Sequence, residues 1–120
     1  MIIMSSHAIA FVEVVSQDAA RSRKFYSDLF GWGINTDHDG YGLVDTGSGP
    51  DAVGGGIGPS MASGDIGVKF YVRTDDLEKS IERATELGSQ TLLGPMALPG
   101  DYGRIAVVTG PDGNPLGLWS

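Results

Sequence analysis

The side chains able to do chemistry are few and scattered. The 120-residue chain contains no cysteine, which excludes disulfides, thiolate metal sites and cysteine nucleophiles. Its two histidines stand apart. His7 follows Ser5 and Ser6 near the start, a grouping with no positioned acid to complete a triad. His38 sits in the polar loop Asn35-Thr36-Asp37-His38-Asp39-Gly40, where Asp37 and Asp39 offer an open surface spot for a stray cation rather than a closed shell. The run Gly54-Gly55-Gly56 lacks the Gly-Lys-Ser/Thr ending of a phosphate loop. Eight Lys and Arg against fifteen Asp and Glu give a net charge of −7, which repels nucleic acid and favours neutral or cationic small partners. No run approaches the roughly 20 apolar residues of a membrane helix. Met1-Ile2-Ile3-Met4 lacks the basic start and the length of a signal segment. The expectation is a cytoplasmic protein of one domain, with no membrane and no nucleic-acid partner.

The elements that must position any site can be read from periodicity. Ala8 to Val15 is rich in apolar and β-branched residues and predicts a strand. Asp18 is a candidate N-cap, and Phe25, Tyr26 and Leu29 fall on one stripe of a helix over 19–30 that Gly31 ends. The same order returns later. Val68 to Thr74 predicts a strand, Asp75 and Asp76 are caps with Glu78 completing a capping box, and Leu77, Ile81, Ala84 and Leu87 form a stripe closed by Gly88. Ile105–Thr109 and Leu116–Trp119 predict strands around the turn Pro111-Asp112-Gly113-Asn114-Pro115.

These are two copies of one pattern. Asp18 and Asp76, Ser22 and Ser80, and Leu29 and Leu87 are each 58 apart, and Gly31 and Gly88 are 57 apart. Pro50-Asp51 matches Pro111-Asp112, and Gly56-Ile57 matches Gly117-Leu118, at a shift of 61. A half-chain repeat of strand, helix and several strands predicts two paired modules, at about 8–58 and 66–120, joined by a linker at about 59–65.

Two βαβββ modules, with Phe25-Tyr26-x-x-Leu29-Phe30-Gly31-Trp32 ending the first helix, resemble the vicinal oxygen chelate superfamily. That superfamily includes glyoxalase I, extradiol dioxygenases, methylmalonyl-CoA epimerase and bleomycin-resistance proteins. Gly103-Arg104-Ile105-Ala106-Val107 and Pro111-Asp112-Gly113-Asn114 strengthen the resemblance, which covers the chain from about Ala8. It implies an α+β fold in which the two modules curve a mixed sheet into a cup. It also implies a homodimer, with modules paired within one chain or exchanged between two.

In metal-dependent members, ligands lie on the first and last strand of each module. Carried over through the helix caps and the Pro-Asp turns, those positions are Phe11, Gly56, Lys69 and Gly117. Phenylalanine and glycine bring no side-chain donor and a lysine ammonium repels a cation, so no metal and no other cofactor is expected. The glycines would leave room where ligands and metal stand in those relatives.

Alternation places the rest. With Phe11 go Ile9 and Glu13; with Lys69 go Tyr71 and Arg73; with Gly117 goes Trp119. Val12, Val14, Phe70, Val72, Leu116 and Leu118 then face the helices. The expected ligand-binding set is Phe11, Glu13, Lys69, Tyr71, Arg73, Arg104 and Trp119, with Tyr102 on a lid formed by Pro95–Tyr102. Aromatic walls with a few charges suit a planar, partly apolar small molecule. Three readings stay open. One is a metal-free binding protein of the bleomycin-resistance kind, sequestering an aromatic or cationic compound. Another is a glyoxalase-like lyase or isomerase with Glu13 as base and Lys69 or Arg104 as oxyanion partner. In the third, Glu13 and Lys69 pair with each other and side chains fill the cup.

Overall fold

The computed structural model describes residues 7–120. The segment Met1–Ser6, with Ser5 and Ser6 of the triad reading, lies outside the described residues. The element order is β1 (Ile9–Ser16), α1 (Ala19–Phe30), β2 (Gly33–Thr36), β3 (Gly42–Asp45), β4 (Gly54–Pro59), β5 (Gly67–Arg73), α2 (Leu77–Glu86), β6 (Thr91–Ala97), β7 (Arg104–Thr109) and β8 (Pro115–Trp119). All eight strands form one mixed sheet in the order β2-β3-β4-β1-β5-β8-β7-β6. The fold is α+β, and each half is a βαβββ unit.

The repeat seen in sequence recurs as hydrogen bonds. Asp18 accepts from the Arg21 amide, and Asp76, 58 residues on, accepts from the Lys79 amide. The Ser16 and Ser22 hydroxyls pair at 2.7 Å, as do those of Thr74 and Ser80 at 2.5 Å. Both helices therefore start with the same satisfied turn. Gly31 ends α1 at φ 71°, a conformation that disfavours any side chain. The expected capping box does not form, because Asp76 rather than Asp75 is the cap and Glu78 turns away to Arg104.

The seam between halves is the antiparallel pair β1–β5, with Glu13 opposite Lys69, Phe11 opposite Tyr71 and Val12 opposite Phe70. Each first strand also pairs in parallel with its own last strand, Glu13 opposite Gly56 and Tyr71 opposite Gly117. Directly opposed residues share a face, so Phe11, Glu13, Gly56, Lys69, Tyr71 and Gly117 line one side. On the other side, Leu77 of α2 packs with Ala106, Val108 and Leu118, joined by Ile81, Ala84 and Leu116.

The two helices are covered unequally. Among the described residues α1 buries none of its own, and Phe25 and Leu29 of the expected core stripe are more than half exposed. Leu87, the last residue of the expected α2 stripe, is also exposed. Val12 and Phe70 lie on the helix side as alternation requires, yet remain substantially exposed in the gap between the helices. The strand register shifts between Ile9 and Phe11, and Ile9 is exposed rather than cup-lining. Pro95–Ala97, expected in a lid, belong to β6, so only 98–103 remain as a loop.

Replacing the second cap, Asp76→Ala, leaves the Lys79 amide without its acceptor and should cost about 1 kcal/mol in urea unfolding. A change below about 0.3 kcal/mol would show that this capping bond is dispensable.

Candidate functional site

The floor of the cup is a buried charge cluster. The Lys69 side chain has no exposed surface, and its ammonium donates to Glu13 Oε1 at 2.5 Å and to Asp65 Oδ1 at 2.7 Å. The two carboxylate side chains are 12% and 5% exposed. A buried ammonium is costly unless paired and hydrogen-bonded, and here it lies between two carboxylates. Glu13 is engaged on both oxygens. Tyr41 donates to Oε2, while Tyr71 reaches Oε1 at 3.4 Å beside the lysine. Burial foremost, then the Glu13 charge, pushes both phenols well above the ordinary tyrosine value of about 10. Tyr41 and Tyr71 are thus held as neutral hydroxyls facing a carboxylate.

Two of these five residues, Tyr41 and Asp65, fall outside the sequence-based set. Asp65 lies in the expected linker, which instead supplies a buried anion. Tyr41 is placed by its loop, where Asp37 accepts from the Asp39 and Tyr41 amides at 2.8 and 3.1 Å, and Arg23 of α1 donates to the Gly40 carbonyl. Asp37 is therefore occupied in shaping a turn. His38 is exposed, and its imidazole lies 3.5 Å from Asp39. His7 precedes β1 and contacts the Arg73 carbonyl at 2.9 Å. A repeat signal for Tyr41 was present, since Tyr41-Gly42 and Tyr102-Gly103 are 61 apart, the shift shared by Gly56 and Gly117.

The glycines do not leave the expected room. A Cβ at Gly56 would overlap the Tyr41 hydroxyl, one at Gly58 the Tyr41 ring, and one at Gly117 the Tyr71 ring. These positions are glycine because tyrosines lie flat against the backbone there. A divalent metal fits this floor poorly. Donor side chains at 56 and 117 would displace both tyrosines, Phe11 offers none, and the Lys69 ammonium stands between Glu13 and Asp65.

Beyond the floor the cup is aromatic. Phe11 meets Tyr71 edge-on at 6.0 Å and Trp119 edge-on at 6.3 Å. The Arg73 guanidinium stacks on Trp119 at 3.6 Å from the ring centre, and the indole N–H donates to the Tyr102 carbonyl at 2.6 Å. Phe11, Glu13, Lys69, Tyr71, Arg73 and Trp119 are thus brought together. Tyr102 contributes its backbone, its ring being exposed. Arg104 is not part of the group. It shares a strand face with the helix-packed Ala106 and Val108, and it pairs with Glu78 of α2 at 2.5 Å, which lowers the carboxyl pKa of Glu78. Two concavities, of about 500 and 460 Å³, open on the helix face beside α1 and α2, not in the cup.

An eight-stranded cup of two βαβββ units, seamed at the first strand of each, is the fold of the glyoxalase, bleomycin-resistance and dioxygenase proteins. The family model described as bleomycin resistance protein-like N-terminal matches residues 9–47. A glyoxylase-like domain-containing protein of Didymella fabae is 32% identical over 102 residues, covering 76% of this chain and 80% of that protein. CFP32, a protein of Mycobacterium bovis and Mycobacterium tuberculosis that carries a glyoxylase name, is 27% identical over 115 residues. The chain spans 44% of the length of those mycobacterial relatives and is itself matched over 91%. A glyoxalase/bleomycin resistance protein/dioxygenase superfamily member from Vibrio splendidus shares the fold at a TM-score of 0.62 and 18% identity, with 94% of this chain and 97% of that one covered. The chain belongs to the vicinal oxygen chelate superfamily. Among the described residues no helix is long and apolar enough to cross a membrane.

Two outcomes follow from the floor. Lys69→Met leaves two buried carboxylates without their cation and should destabilise the protein by about 3–5 kcal/mol; a loss below about 1 kcal/mol would contradict the clamp. Raised tyrosine pKa values stabilise the fold below the ordinary value near 10, and that stabilisation is lost as pH rises above it. Unfolding free energy should therefore fall more steeply above pH 10 in the wild type than in a Tyr41→Phe/Tyr71→Phe variant. Parallel curves would refute the assignment.

Proposed function

We propose that the chain is a metal-free binding protein for a planar aromatic small molecule, neutral or cationic, held at the open end of the cup. The carrying observation is the set Phe11, Tyr71, Trp119 and Arg73 over a floor already filled by its own charges. Aromatic faces and edges hold a flat guest through offset stacking and edge contacts. The floor beneath carries two carboxylates against one ammonium, and the chain carries −7, which favours a neutral or cationic guest over an anion. In this proposal the binder is a cytoplasmic two-fold dimer.

The alternative of a lyase or isomerase with Glu13 as base finds less support. Both Glu13 oxygens already accept from Lys69, Tyr41 and Tyr71, so a substrate proton would have to displace an internal donor. Arg104 is engaged with Glu78 on the opposite face and is not an oxyanion partner in this arrangement.

The test is a titration of intrinsic fluorescence in a Trp32→Phe background, which leaves Trp119 as the single indole. The probes are planar aromatic cations alongside neutral and anionic compounds of the same ring size. Saturable quenching by the cationic or neutral set is expected, with affinity falling about tenfold in Phe11→Ala, equivalent to about 1.4 kcal/mol of lost ring contact. Quenching by anions alone, or no saturable response from any probe, would overturn the proposal.

A further inference from the structure

We infer that Arg73 selects the guest by donating to a carbonyl oxygen on its rim, so that the ligand class is a flat aromatic ketone. The inference rests on the binding reading above and names the polar feature that such a guest must carry. The donors of the cup point to it. The Lys69 ammonium is engaged by Glu13 and Asp65, the Tyr41 and Tyr71 hydroxyls by Glu13, and the Trp119 indole N–H by the Tyr102 carbonyl. Arg73 differs. Its guanidinium rests on the Trp119 ring, and among the described residues none of its five N–H groups meets an acceptor.

The donor is also held in place. Arg73 ends β5 opposite Trp119 of β8, two residues beyond Tyr71 and so on the same face. Its backbone N–H donates to the Ala8 carbonyl at 2.9 Å, and the next amide, of Thr74, donates to the Trp119 carbonyl at 3.0 Å. The guanidinium carbon lies 3.6 Å from the centre of the indole, a separation that requires the planar group to lie flat on the ring. One face of the guanidinium is thereby covered, while its N–H groups radiate in its own plane and stay open. The same indole meets Phe11 edge-on at 6.3 Å, so these donors border the aromatic zone where a flat guest would sit. A stacked guanidinium loses little freedom when it forms a hydrogen bond, which suits it to discriminate between guests.

Charge decides which acceptor fits. Lys69 and Arg73 together balance Glu13 and Asp65, so a neutral guest leaves the cup neutral, whereas a carboxylate would add a negative charge to a chain of −7. A carbonyl conjugated with the ring supplies an acceptor with two lone pairs and no charge, and it keeps the guest flat. The Glu13 oxygens already accept internal donors, so the recognition runs one way, with the protein donating and the guest accepting.

Equilibrium dialysis of the full chain against three probes of one ring frame tests this. The probes are fluorenone, fluorene, which has a methylene in place of the carbonyl, and fluorene-2-carboxylate. Fluorene is the more apolar of the first two, so burial alone would favour it. The wild type should instead bind fluorenone about tenfold or more tightly than fluorene, the scale of one hydrogen bond to a charged donor. Arg73→Gln and Arg73→Lys should both lose most of that preference, the lysine because it keeps the charge without the flat fork. Phe11→Ala should weaken both probes alike and leave their ratio unchanged, so the ratio separates selection by Arg73 from a merely structural role. Equal binding of fluorenone and fluorene, or a preference that survives both Arg73 variants, would overturn the inference while leaving a flat aromatic guest in place. Tighter binding of the carboxylate than of fluorenone would overturn the ketone assignment. No saturable binding of any probe would overturn the inference and the binding reading together.

Discussion

The arrangement of the cup depends on one interaction, the Lys69 ammonium held between Glu13 and Asp65. It crosses the seam between the two halves, because Glu13 and Lys69 face each other on β1 and β5, and Asp65 arrives from the segment connecting them. Three charges in a buried floor are tolerable only while all three stay together, so this contact disfavours other registers of the seam. The Tyr41 and Tyr71 hydroxyls complete the Glu13 shell, and seating their rings requires bare backbone at Gly56, Gly58 and Gly117. A charge in one strand thus dictates glycines in two others.

The chemistry available to the cup follows from that constraint. Phe11, Gly56, Lys69 and Gly117 share one face of four neighbouring strands, and of these only the lysine carries a polar side chain. The space beside the glycines has gone to tyrosine rings. What remains free is the aromatic zone around Phe11 and Trp119, whose geometry is fixed by the Arg73 stack and by the indole bond to the Tyr102 carbonyl. Superfamily membership alone does not assign an activity, since one fold carries many chemistries.

Much of this was legible in the sequence, for identifiable reasons. A repeat of 58 residues places two helix starts at Asp18 and Asp76, and both recur as capping bonds to the amide three residues on. Strand alternation with a period of two separates Glu13, Lys69 and Tyr71 from Val12, Val14 and Phe70, because side-chain direction in a strand is a local property. What escaped depends on where distant segments meet. Tyr41 enters the cup through a loop shaped by Asp37 and Arg23, and Asp65 folds under from a segment that composition marks as a linker. Arg104, expected at the cup or its rim, lies two residues before the helix-facing Ala106 and so shares its side of the sheet. The stripe Phe25–Leu29 has the period of a buried helix face, yet periodicity does not say whether the cover comes from the same chain.

The Lys69 ammonium, between Glu13 and Asp65, occupies the floor of the cup where a divalent ion would need donors. Calorimetric titration of the wild type with Mn²⁺, Ni²⁺ and Zn²⁺, paired with Glu13→Ala, tests it most directly. No stoichiometric binding that depends on Glu13 is expected, and at most weak binding unaffected by the substitution. One tightly bound ion per chain that is lost in Glu13→Ala would contradict it.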